Sequence, residues 1–402
     1  MIQDTDSQRA GARPAKTSDS PRQQPEQEFT DAALDSLRRV GDPLADALVR
    51  DLYGARGDAF KNIARALARV RQNRAPLPGA FPDDLRALLN EPVGVRWDAR
   101  RLAQGAAFFA DYGALIPPVM QLVTMPTLYS ARRPIAVLEF TGRLQSCAHC
   151  RSVETAQMVF DAMRRDGFGP RGYGLRSIAK VRLIHAAIRM HIADRGGWDE
   201  DDLGIPINQE DMLGVLGAFS VGVVDALRTL GAAFTDSEAE DFYYRWRLVG
   251  ERIGIQRSPA TLDEMRAVFG AIKRRQVESS TLGVELTRVW IAAVEGMTPP
   301  RYRSLVEPLM ANLLDRRVAE AVGLTPSDPE VARAIVRRAR QIERIDRWLG
   351  RGTASRALIN RVTDALARAQ MGATLGAQGH DFKLPEPPAG HDAAPRSCPL
   401  HR

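Results

Sequence analysis

Apolar residues recur at spacings of three and four along most of the chain, and alternating Val, Thr and Tyr runs are scarce. That periodicity predicts an all-α protein. Helices are expected at roughly 31–53, 58–72, 82–90, 97–112, 115–128, 132–146 and 149–165. Further helices are expected at 176–194, 209–230, 237–254, 262–276, 281–296, 302–322, 328–349 and 354–370. Thr261-Leu-Asp-Glu264 has the form of a capping box, and Asn208 before Gln-Glu-Asp sets a cap and acids where the helix dipole favours them. Gly/Pro-rich stretches such as DGFGPRGYG (166–174) and MTPPR (297–301) separate the segments. The 209–230 segment is apolar on nearly every side after its first turn, which predicts a central buried helix. No internal repeat is present. The expected organisation is a polar, disordered leader at 1–28 and a helical cap at 29–95. A main helical domain follows at 96–372, then a Pro/Gly-rich disordered tail at 373–402.

Composition adds constraints. The chain has 402 residues, 44% hydrophobic and 26% charged, as expected of a globular protein with a real core. No apolar run reaches the roughly eighteen residues of a membrane span. The start lacks the apolar segment of a secretory signal, so a cytoplasmic location is expected. A net charge of +7 invites a nucleic-acid reading, but the arginines are scattered among Asp and Glu rather than gathered in a stripe. No nucleic-acid partner is expected, and a peripheral contact with an acidic membrane surface stays open. Three cysteines do not make a disulfide framework.

The candidate chemistry sits on two neighbouring helices. Projected at roughly 100° per residue, Ile178, Val181, Ile184, His185, Ile188 and Ile192 share one arc of the 176–194 helix. A histidine inside an apolar stripe must find a partner for its ring nitrogens. Either it is a core residue bonded to a carbonyl, or it is an iron ligand, since neutral imidazole commonly binds haem. On the preceding helix, Arg151, Glu154, Thr155 and Met158 fall at i, i+3, i+4 and i+7, one face. Val153, Phe160 and Met163 make the opposite side apolar too. About ten residues separate Thr155 from the intervening loop and about ten separate the loop from His185. At about 1.5 Å per residue both lie at matched depth in an antiparallel hairpin. A flat cofactor between the helices would meet His185 on one side and Arg151, Glu154 and Thr155 on the other, as in the proximal and distal helices of a globin.

The chain resembles the family of haem-dependent rubber oxygenases (latex clearing proteins) and mycophenolic-acid-pathway oxygenases over about residues 90–330. The resemblance rests on RRLAQGAAFFADYGALI, Arg151-x-x-x-Thr155, KVRLIHAAIR around His185, and GIPINQEDMLGVLGAFSVGVVDALRTLG. It implies an all-α bundle with a globin-like core, a haem oxygenase-like catalytic domain and non-covalent haem b. It implies that His185 is the proximal axial ligand of the haem iron, with Arg151 and Thr155 in the distal pocket. It further implies dioxygen and an apolar, unsaturated, isoprenoid-like substrate, in a channel lined by the 115–140 and 209–230 helices. The rubber-cleaving members carry a lysine just before the threonine, where this chain has Glu154. Glu154 and Glu139 are the candidate carboxylates for acid–base work, because apolar surroundings raise a carboxyl pKa. Glu139 could equally face solvent and pair with Arg143 at i+4.

The cysteines fit nothing better. Covalent haem attachment needs a histidine after Cys150, and Arg151 stands there. A zinc site of Cys147, Cys150, Cys398 and His401 would need the tail to fold back across the domain. Two other functional classes fit the residues. One is a haem-binding sensor or electron-transfer protein; the other is a cofactor-free helical interaction protein with His185 in its core.

Overall fold

The computed structural model describes residues 29–54, 58–90, 97–140, 155–325 and 384–385. It is all-α, as the periodicity predicts: among the described residues there is no β-strand, only an isolated bridge between Ala131 and Val277. The N-terminal layer comprises α1 (Asp31–Arg38), α2 (Pro43–Gly54), α3 (Ala59–Arg69) and α4 (Asp83–Asn90). Next come α5 (Ala99–Asp111), α6 (Ile116–Val119), a π-helical turn at Met120–Thr124, α7 (Met125–Tyr129) and α8 (Arg132–Phe140). Then follow α9 over 155–163, α10 (Gly174–Arg195), the short α11 (Glu200–Leu203) and α12 (Gln209–Thr229). The chain continues through α13 (Asp236–Ile253), α14 (Leu262–Gln276) and α15 (Thr281–Met297). A 3-10 turn at Pro300–Leu305 leads into α16 (Val306–Leu313) and α17 (Arg316–Ala321). The helices expected at 328–349 and 354–370 lie outside the described residues.

Local chemistry breaks two expected helices. The 31–53 segment divides at Pro43, which has no N–H to continue α1; it opens α2 instead, with Asp42 Oδ1 accepting from the Ala45 amide at 3.3 Å. The 302–322 segment is three pieces, and Asp315 caps the last through the Val318 amide at 3.0 Å. The caps read at Asn208 and Thr261 are both present, the second as a full capping box. Pro126 explains the π turn. Its ring crowds the Leu122 carbonyl, and the wider turn at Met120–Thr124 makes room.

The expectation of a central buried helix holds. α12 is the described helix long and apolar enough to cross a membrane, and here it is buried in the core. Close approach holds its neighbours. A Cβ on Gly217 would stand 2.5 Å from the Phe269 ring of α14, and one on Gly105 of α5 would stand 2.3 Å from the Asp241 carbonyl of α13.

α10 differs from a helix with one apolar stripe. Leu175 and Ile178 join the central core, whereas Ala179, Leu183, Ala186 and Ala187 pack into the N-terminal layer. Even Arg176, Arg182 and Arg189 are buried. Two of them reach α2 and the residue before it: Arg182 Nη2 donates to Asp42 at 2.9 Å, and Arg189 Nε to Asp46 at 2.7 Å. The N-terminal layer is therefore sewn to the main domain by buried ion pairs. Of the residues beyond 325, Leu384 is buried in that layer, and Tyr53 donates its hydroxyl to the Pro385 carbonyl at 2.9 Å.

Candidate functional site

Helices α7 to α10 and α12 to α15 line a cavity of about 320 Å³, within the ~300–1,000 Å³ of small-molecule sites. Its walls are mainly apolar, with Val137 and Leu138 from α8, Met158 and Val159 from α9, and Val181 from α10. His185 lines it from α10, half-buried, and Thr155 lines it from the start of α9 at an exposed position. The hairpin geometry that brings them together is held from both sides. Ser177 of α10 donates its hydroxyl to Asp161 of α9 at 2.6 Å, and a Cβ on Gly174 would lie 2.8 Å from Ala162 Cα. From this crossing, Thr155 lies six residues back and His185 eight forward, which puts both at similar depth. The fully buried Arg245 of α13 closes the C-terminal end of α9, donating to the Ala162, Arg164 and Leu102 carbonyls. Burial lowers its guanidinium to about 9.

Arg151 and Glu154 lie outside the described residues, as do Cys147, Cys150 and Cys398. Glu139 is on α8 but exposed, and it is absent from the cavity lining, where its neighbours Val137 and Leu138 stand. Its exposure accords with the solvent-facing alternative for Glu139. Among the described residues no group of His, Cys, Asp and Glu could hold a bare metal ion. His185 is the imidazole of the cavity lining.

The carboxylate that does line the cavity is Asp211, in the first turn of α12. The chain enters this turn under strain. Ile207 has φ 53°, a left-handed conformation that a β-branched residue adopts at a cost of about 1–2 kcal/mol. Arg189 holds its carbonyl at 3.3 Å, and Asn208 caps the helix through the Asp211 amide at 3.0 Å. Gln209 Nε2 bridges the Gly41 and Gly254 carbonyls at 2.8 and 3.0 Å. Glu210, fully buried, accepts from Arg38 at 3.2 Å, Arg275 at 2.9 Å and Gln276 at 2.9 Å. Asp211 accepts from Arg38 at 3.2 Å and from Asn208 at 2.9 Å. Burial, opposed by Arg38 and reinforced by Glu210, pushes the Asp211 carboxyl up to about 7. The sequence reading missed this residue, since an acid in the first turn of a helix reads as dipole complement. The available signal was two consecutive acids at the start of a helix otherwise apolar all round.

A family model described as "ER-bound oxygenase mpaB/B'/Rubber oxygenase, catalytic domain" matches residues 99–345. The chain belongs to this oxygenase family. Its matched catalytic domain starts with α5 and takes in every helix that lines the cavity. A "Rubber oxygenase" from Streptomyces sp. (strain K30) is 24% identical over 265 residues, 64% of this chain. The chain spans 65% of that relative's length. The structure of latex clearing protein LCP in the closed state shares the fold of this oxygenase-family chain. The TM-score is 0.65 at 20% identity, covering 82% of this chain and 91% of that one.

Proposed function

We propose that this family member is a haem b-dependent oxygenase acting on an apolar, unsaturated, isoprenoid-like substrate, with His185 as the proximal axial ligand. The observation that carries the reading is that His185 and Thr155, from consecutive helices, line one apolar cavity. The donor set fits the group: a tetrapyrrole supplies the in-plane ligands itself and asks the protein for one imidazole in a slot with apolar walls. When bound, haem would supply the oxygen chemistry, and the protein the orientation and polarity.

The chain's own residues have separable tasks. Buried α10, braced on α2 through Arg182 and Arg189, holds the imidazole in a fixed orientation. Thr155 offers a hydroxyl at the opposite wall. Arg151 and Glu154, which lie outside the described residues, are in this reading the cation and carboxylate that take part in the chemistry. Val159, Val181 and Phe219 keep the cavity dry and receive the hydrocarbon. Dioxygen is the co-substrate.

The test is oxygen uptake by the haem-loaded protein with an unsaturated isoprenoid probe. Uptake that needs both probe and His185 supports the reading. A loaded protein with a normal haem spectrum and no uptake across isoprenoid probes points to a sensor or electron carrier, and one that binds no haem points to a cofactor-free protein.

A further inference from the structure

The N-terminal layer carries a charge imbalance that the cavity does not explain. Between Asp58 and Asp83 the chain holds Lys61, Arg65, Arg69, Arg71 and Arg74 and no acid, against a net charge of +7 for all 402 residues. On α3 the first three fall at i, i+4 and i+8, so they share one face about 12 Å long. All three are exposed, while Phe60, Ile63 and Leu67 turn inward. Arg71 and Arg74, also exposed, continue this surface past the helix end. Their loop is pinned from inside. Buried Asn73 donates to the Gly167 and Gly169 carbonyls at 2.8 and 2.7 Å and accepts from the Leu175 and Arg176 amides at 3.0 and 3.3 Å. The Arg74 amide donates to the Pro170 carbonyl at 3.1 Å, which sets the exposed Arg171 beside it. Below the surface, buried Lys180 donates to the Ala68 carbonyl at 3.3 Å; it is pushed down to about 8, by burial first and by the Arg71 charge second. Among the described residues, Arg65, Arg69, Arg71, Arg74 and Arg171 have no carboxylate at ion-pair distance. The exposed acids at hand are Asp58, 3.8 Å from Lys61, and Asp166, 3.4 Å from Arg164.

We propose that this surface docks the protein on a bilayer containing anionic phospholipid, with Lys61, Arg65, Arg69, Arg71, Arg74 and Arg171 facing the headgroup phosphates. The cations are spread along an exposed helix and loop, which suits a field of many headgroups rather than one bound phosphate. No exposed ring is offered for stacking bases: Phe60 and Phe81 are buried, and the half-buried Tyr173 lies 5.8 Å from the Arg71 guanidinium. The segment that follows, Ala75-Pro-Leu-Pro-Gly-Ala80, is free of charge and has Pro76, Gly79 and Ala80 exposed, so no acid opposes approach to lipid there. Two-fold pairing of this face with a second copy would set like charges against each other. Apart from Arg171, the surface precedes the matched catalytic domain at 99–345, so it is an attribute of the N-terminal layer. The inference goes beyond the reading of the cavity and holds whether or not haem binds. A bilayer is also where an apolar substrate collects.

The experiment is flotation of the purified full-length protein with two kinds of vesicle, phosphatidylcholine alone and phosphatidylcholine with about one-third phosphatidylglycerol. Wild type is expected to float with the anionic vesicles and not with the neutral ones, and to be released as NaCl is raised to about 0.5 M. The triple variant Lys61→Gln, Arg65→Gln, Arg69→Gln is expected to lower the partition coefficient by about a hundredfold, the effect of three cations at a charged surface. The same neutralisation at the exposed Arg288, Arg301 and Arg303 is expected to change it by less than about threefold. Equal flotation with both vesicles, no flotation with either, or an equal loss from the two triple variants overturns the proposal. So does release from the vesicles by duplex DNA at equal phosphate concentration, the result if the surface serves nucleic acid. The comparison of the two vesicles needs no variant and survives a failure of either triple variant to fold. Haem content, read from the visible spectrum of the same preparation, reports on the cofactor assignment separately.

Discussion

The two ends of the cavity are built on opposite principles. At one end, His185 and Thr155 line the cavity from two packed helices beside mainly aliphatic walls. At the other, Asp211 and Gln276 belong to a buried network of Glu210, Arg38, Arg275 and Asn208. At the first end, packing spread over many apolar contacts is expected to tolerate variation in the walls. The second is all-or-none, since removing one member strands charges inside the protein. The architecture that builds the apolar end of the cavity is thus separable from the architecture that fixes one end of α12.

Substitutions at the network should cost far more stability than those at the walls or surface. Glu210→Ala removes the carboxylate shared by Arg38, Arg275 and Gln276, leaving Arg38 with Asp211 alone, and should destabilise by about 3–5 kcal/mol in urea melts. An effect below about 1 kcal/mol would show that the network is not a unit. Asn208→Ala removes the α12 cap and a donor to Asp211, and should lose about 1–2 kcal/mol by the same measurement. Glu139→Gln should stay within about 0.5 kcal/mol of wild type and leave oxygen uptake unchanged, as expected of an exposed position.

A smaller effect sharpens the contrast through pH. The Asp211 carboxyl has an ordinary value of 3.8 and is raised to about 7 in the folded chain. Between those values the folded protein holds a proton that the unfolded chain has released, so this group makes stability fall as pH rises through that window. Asp46 and Asp161, also raised by burial, act with the same sign. Asp211→Asn removes one such slope. Its Tm relative to wild type should therefore climb from pH 4 to pH 7 and level off above. A constant offset across that range would remove the claim that Asp211 titrates near neutrality.

Much of the first end was legible in the sequence, and little of the second. His185 stands out as an imidazole among Ile and Val at helical spacing, and Thr155 by its matched depth on the preceding helix; both line the cavity. Helix starts were legible where the cap is local, as at Thr261 and Asn208. The network was not, because its bonds span the chain: Asp211 meets Arg38 from 173 residues away, and Glu210 meets Gln276 from 66. Periodicity also ran through the break at Pro43, where two amphipathic helices happen to keep phase across a proline. The tail composition around Leu384 gave no hint of its burial, which depends on a pocket built by α2 to α4. Local chemistry shows in a sequence; buried polar partnerships between distant segments do not.

The most direct test of the central claim is the visible absorption spectrum of haem-reconstituted wild type beside His185→Ala, with iron content measured on both. The account predicts a Soret band and about one haem per chain for wild type, and loss or a clear shift of the band with reduced haem in the variant. A His185→Ala protein that keeps the wild-type spectrum and full haem content would contradict it.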